Sequence, residues 1–181
     1  MTYSTKKKLQ SLFKKLGYWL FKLVYGEIKD YKPINNYSDT LIKKSQIKSN
    51  LEYNVYTVNS ARIYTDTIND SAIIKDNFVI KEPSFQIRDT KFEKIEKNIV
   101  FSKGTPRIKK TVKGTLFSLL TGGAGNNNYW HWLFDVLPRI KIFKNVYNIE
   151  EVDYFLFPNL DKKFQLETIQ LLGIPIKKCF S

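Results

Sequence analysis

The residues of this chain best suited to chemistry crowd into one stretch. His131, the only histidine, stands four residues before Asp135, which stands four before Arg139. Residues three and four apart are neighbours on a helix, so an imidazole, a carboxylate and a guanidinium would share one face with Asn128. His131 and Asp135 are the candidate catalytic residues: such a row could take a proton, orient the base that takes it and hold an anion. An ordinary surface pair at i,i+4 has the same signature, so spacing alone leaves both readings open. Just ahead lies Gly122-Gly123-Ala124-Gly125-Asn126-Asn127. Glycine and asparagine tolerate positive φ, so this loop can turn sharply. Gly123, Gly125, Asn126, Asn127, Asn128 and Arg139 are candidate substrate-binding positions.

Such a row needs elements to carry it. Thr115–Leu120 is apolar, too short for a helix and suited to a buried strand. A helix follows the loop, and at a uniform 3.6 residues per turn it turns Tyr129, Leu133, Val136, Ile140, Phe143 and Tyr147 toward a sheet. Pro138 either kinks this helix near Phe134 or opens a second one from its first turn. Val152–Pro158 reads as a second buried strand. Asp161 can cap a helix over 162–172 that Gly173 ends, and Ile174 begins a third strand. Strand, helix, strand, helix, strand is half of a doubly wound sheet, so the expected class is α/β with an incomplete Rossmann-like segment over 114–181.

The glycine loop fits neither familiar phosphate cradle. Gly123-Ala124-Gly125 begins a dinucleotide fingerprint, but Asn128 stands where its third glycine belongs and Asp153 opens the next strand instead of ending it. No Gly-Lys-Ser/Thr follows, which excludes a P-loop. One histidine and one cysteine are too few for a structural zinc site of the usual kind.

Upstream, residues 51–113 form a β-rich segment. Short runs at 51–58, 61–64, 72–75, 78–81 and 85–88, separated by Asn- and Asp-containing turns, read as an antiparallel meander that 98–102 would complete. Its aromatics could stack sugars or bases, although packing a small sheet explains them more simply. Lys103–Lys113 is a basic loop without a nucleic-acid signature and receives no role. Residues 27–50 are polar and read as a linker. Over residues 6–25, Leu9, Leu12, Phe13, Leu16, Trp19, Leu20, Leu23 and Val24 recur at helical spacing, lysines take the other side, and no acid precedes Glu27. That is a basic amphipathic helix (domain 1–26), suited to the headgroup region of an anionic membrane surface. Lys14, Lys15 and Lys22 interrupt it too often for a span or a signal peptide.

The run Asn128-Tyr129-Trp130-His131-Trp132-Leu133-Phe134-Asp135-Val136-Leu137-Pro138-Arg139 resembles the N-Y-x-H-W-L-x-D-x-L-P-R signature of glycosyltransferase family 61, matching it at every fixed position. Phe164–Ile174 is similar to that family's Q…L-L-x-x-L-G-I helix leading into a strand, and Ala61–Ser84 resembles its β-rich entry. The likeness extends over about residues 55–181. The family includes bacterial capsular and lipopolysaccharide biosynthesis proteins and eukaryotic xylosyl- and N-acetylglucosaminyltransferases. The resemblance implies an inverting transfer from a nucleotide sugar to a glycan or polysaccharide hydroxyl, on a GT-B scaffold of two Rossmann-like domains. It implies no cofactor and no metal, with the nucleotide sugar as substrate. His131 or Asp135 would be base or orienter, and Arg139 would steady the motif or meet an anionic group. Most of the family's donor site lies in a carboxy-terminal half, so this chain is expected to be an amino-terminal portion, inactive without its missing C-terminal domain.

Charge bears on partners. The net charge is +13 and the pI near 9.6, which calls for an anionic partner. Eleven lysines against three acids fall in residues 1–50. The expected partners are a nucleotide sugar, a glycan acceptor and an anionic membrane surface; no nucleic acid is expected. A single cysteine fits a reducing cytosol, so the expected location is cytoplasmic and peripheral on the inner membrane face. The competing class is a non-enzymatic membrane-associated module that binds glycan or protein.

Overall fold

A computed structural model describes residues 3–48, 50–66, 69–89, 91–121 and 128–181. The chain is mixed α/β, and most of its strand pairing is antiparallel. Helix α1 (Tyr3–Tyr25) carries the amphipathic pattern read in the sequence. No helix among the described residues is long and apolar enough to cross a membrane.

The expected linker is structured. It contains β1 (Asp30–Lys32) and the nine-residue β2 (Thr40–Lys48), which forms a long antiparallel hairpin with β3 (Leu51–Val58). The polar composition of β2 misled because an exposed hairpin strand needs backbone pairing more than a hydrophobic face. Within it Ser45 is fully buried against the protein, bonded by Asn145 Nδ2 at 3.3 Å.

The meander itself is β4 (Arg62–Tyr64), β5 (Asp70–Lys75), β6 (Phe78–Ile80), β7 (Phe85–Arg88) and β8 (Lys91–Phe92), centred on the nearly buried β5. Strand β1 joins its edge parallel to β6, so β3 leaves this sheet for the hairpin. Residues 99–103 do not complete it. They form the short helix α2 (Ile99–Lys103), because the Asn98 side chain accepts from the Val100 amide at 3.2 Å and sets a helical start. A core of Ile28, Tyr64, Ala72, Ile74, Val79 and Val100 fills this half.

The second half is a small parallel unit. Strand β9 (Leu116–Ser118) precedes a helical rod, β10 (Tyr154–Leu156) precedes α5 (Lys163–Leu171), and β11 (Cys179–Phe180) closes the set. The three strands are parallel in the order β11-β10-β9. The expected parallel strand–helix alternation is limited to this three-stranded sheet, whose strands are shorter than the apolar runs suggested. Lys162, not Asp161, is the cap of α5, because the Gln165 side chain reaches back to its amide at 2.9 Å. Gly173 ends the helix at φ +75° as expected.

The helical rod changes pitch. It comprises α3 (Tyr129–His131), a π turn over Trp132–Val136, and α4 (Leu137–Lys144). The Leu137 amide donates to Trp132 O, five residues back. Pro138 supplies a cause: its ring lacks an N–H and crowds the Phe134 carbonyl, and the wider turn before it relieves that clash. Pro138 therefore sits in the first turn of a new α segment, the second of the two expected outcomes. The extra residue shifts the buried face. Trp132, Val136, Ile140 and Phe143 are in the core with Leu119, Phe155, Phe157 and Ile169, while Tyr129 is 54% exposed. A constant pitch had placed Tyr129 inside and passed over Trp132.

Candidate functional site

Asn128 starts the rod, its side chain accepting from the Trp130 amide at 2.9 Å. It is a helix cap in this structure and is exposed to the same solvent as the residues that follow. One turn on, His131 Nδ1 lies 2.6 Å from Asp135 Oδ2. The side chains are 37% and 45% exposed, so the pair is neither sealed in the core nor fully afloat. A carboxylate only accepts, so the proton of neutral His131 sits on Nδ1 and Nε2 is left as an acceptor. The pair lies beyond the carboxyl end of β9, where α/β units place their ligands.

Arg139 follows one turn beyond Asp135. Its Nη1 donates to Leu120 O at 3.2 Å, tying the rod to the segment that leaves β9. Burial pushes the guanidinium pKa down, and the negative charge of Asp135 opposes that shift. Arg139 and Asp135 therefore sense one another without forming an ion pair. Nearby, the buried Thr121 hydroxyl has no hydrogen-bond partner among the described residues. The candidate positions Gly123, Gly125, Asn126 and Asn127 fall outside the described residues.

An open cleft of about 1730 Å³ runs between the two halves. That exceeds the ~300–1,000 Å³ usual for small-molecule pockets, as expected of an open groove and not an enclosed cavity. Asp135, Arg139, Phe134 and Thr121 line the cleft from the rod and the segment before it, together with Arg62 of the meander and Arg107, Lys109 and Lys110 of the basic loop, and Lys110 Nζ lies 4.0 Å from the centre of the Phe180 ring. His131 stands at the margin, outside the lining.

Two groups of residues escaped the sequence reading. Trp130 and Phe134 pack with ring centroids 4.3 Å apart and planes tilted by 38°, and they are 64% and 57% exposed. They run beside His131 and Asp135 at the same i,i+4 spacing, the one signal that was present in the chain. The basic loop, given no role, contributes Arg107, Lys109 and Lys110 to the cleft. Tyr25 OH holds it there by accepting from the Lys109 amide at 3.0 Å, a contact across 84 residues that no local pattern announces.

Among the described residues, no group of three or more His, Cys, Asp or Glu is placed to hold a metal ion. No family model matches the chain, and comparisons with characterised proteins and with solved structures give no match either.

Proposed function

We propose that this chain is the acceptor-binding portion of an inverting glycosyltransferase, with residues 114–181 as part of a Rossmann-like domain of a GT-B enzyme. The observation that carries the reading is the joined, half-open His131–Asp135 pair at the end of a parallel strand beside a wide cleft. Its place in the chain is that of the family 61-like motif. Cofactor chemistry forms no part of the proposal.

In this reading Asp135 orients and His131 acts. Asp135 holds the Nδ1 proton, so Nε2 removes the proton from an acceptor hydroxyl. The hydroxyl oxygen forms a bond to the anomeric carbon as the bond from that carbon to the nucleoside diphosphate breaks, inverting the centre. The departing diphosphate takes the electron pair, and its charge falls to cations and amide donors. Arg107, Lys109 and Lys110 face the cleft with the needed sign. Trp130 and Phe134 offer exposed aromatic rings to the acceptor. A second domain would hold the donor.

The test is a nuclear magnetic resonance titration of the chain with acceptor oligosaccharides and nucleotide sugars. Acceptor sugars are expected to move the His131 and Trp130 side-chain signals and leave the buried Trp132 indole in place. If no saccharide or nucleotide sugar moves either signal, the sugar-transfer reading falls.

A further inference from the structure

Helix α1 is attached to the body by one edge only. Tyr18, Phe21, Lys22 and Tyr25 are partly covered, at three- and four-residue spacing. Lys22 Nζ bonds Glu27 at 3.1 Å and its stem lies against Gly104. Tyr25 meets Lys109 and lies beneath the Arg62 guanidinium. Residues 5–16 are exposed throughout, so the first turns extend past the body.

The apolar stripe points the other way. Leu12, Leu16, Trp19, Leu20, Leu23 and Val24 are 48% to 71% exposed. On a helix of 100° per residue they centre on the side opposite the covered edge. A soluble helix normally turns such a stripe inward, so this one is built to meet something outside. Lys8 and Lys15 flank it, and no acid lies in the helix. A second copy would set the Lys8 and Lys15 of each stripe beside those of the other with no acid in either helix, which argues against self-pairing. An anionic bilayer supplies both the apolar layer and the missing negative charge.

We propose that α1 is an interfacial anchor that lies flat on an anionic membrane, stripe down, with the body seated on its opposite face. A helix is about 10–12 Å across. The cleft wall at Tyr25 and Lys109 would therefore stand roughly one helix diameter above the acyl boundary, with the basic loop beside the headgroups. Acceptors held at the membrane surface come within its reach. The anchor is independent of the sugar-transfer reading, and either can fail without the other.

The experiment is sedimentation of the full chain with vesicles of phosphatidylcholine alone or mixed with phosphatidylglycerol. Binding is expected to the mixed vesicles and at least about tenfold less to the neutral ones. Leu12→Asp/Leu16→Asp should abolish binding while melting stays unchanged, because both side chains are exposed. Lys8→Gln/Lys15→Gln should weaken binding to the mixed vesicles about 30-fold. Equal binding to both vesicle types, or undiminished binding by the double aspartate variant, overturns the proposal. So does failure to bind accompanied by a dimer that the aspartates dissolve, which would make a second copy the occupant. Failure to bind by a monomer overturns it equally.

Discussion

His131 has one ring nitrogen committed to Asp135 and one left over, and the predictions at the residue scale follow from that division. Under the sugar-transfer proposal, His131→Asn and Asp135→Asn should each lower turnover about 10²–10⁴-fold when the chain is assayed together with its proposed donor domain, with melting temperatures near that of the parent. Equal melting and equal turnover would remove both residues from the chemistry. Trp130→Ala should leave turnover at saturation alone and weaken acceptor binding about 2- to 10-fold, read in an acceptor titration. A second titratable pair has a structural role. Lys75 Nζ, almost buried, donates to Asp39 Oδ2 at 2.8 Å, and that bond pulls the Asp39 carboxyl below its ordinary 3.8. A carboxyl depressed on folding stabilises the protein above its ordinary pKa, and the stabilisation is lost as pH falls through the depressed value. Denaturant titrations should show Asp39→Asn less stable than the parent at neutral pH, with the gap closing below pH 3.8.

At the scale of elements, the helical rod decides whether the site forms. Trp132 is fully buried and donates through Nε1 to Thr168 Oγ1 at 2.8 Å, fixing the rod against α5. Trp132→Ala should cost about 3–5 kcal/mol in chemical denaturation. Gly114 opens the approach to β9 at φ +125°, and a β-carbon there would collide with the Asp153 carboxylate that accepts from the Thr115 amide. Gly114→Ala should cost about 1–3 kcal/mol by the same measurement. Elements with strong local signals were legible in the chain. Helix α1, the short strands between 62 and 88, the alternation of strand and helix after 115 and the stop at Gly173 all stand close to where periodicity and turn residues put them. The contact of His131 with Asp135 was legible too, because an i,i+4 contact is local, whereas Arg139 turns to the Leu120 carbonyl instead of continuing the row. What stayed hidden depends on distant partners or on one extra residue. The pairing of β2 draws on β3 and on the end of α4, and α2 draws on a cap that competes with its β-prone Ile99-Val100-Phe101. The π turn moved Trp132 inward with no warning from a fixed 3.6-residue period. Lys109 and Lys110 joined the cleft through Tyr25, far behind them in the chain.

For the whole molecule, the arrangement is two cores joined by a clasp. The hairpin of β2 and β3 precedes the meander in sequence yet packs on the parallel unit. Thr57 Oγ1 and Tyr147 OH share a 2.7 Å bond across 90 residues, Lys43 bonds Val146 O and covers the Tyr147 ring, and Val55 adds to the core under the rod. Contacts that remote close large loops and form late. The consequence falls on the newborn chain at the ribosome. At ~5–20 residues per second, a hairpin that has emerged must wait about 5–20 seconds for its seat to be translated. Through that interval Val55 and Thr57 lack their destined partners. Nascent chains arrested near residue 120 should therefore be cut by protease within 40–58, and chains released at full length should resist cutting there. The clasp makes residues 40–58 hostage to a seat near residue 147, so slow codons between them would lengthen their exposure to chaperones and proteases.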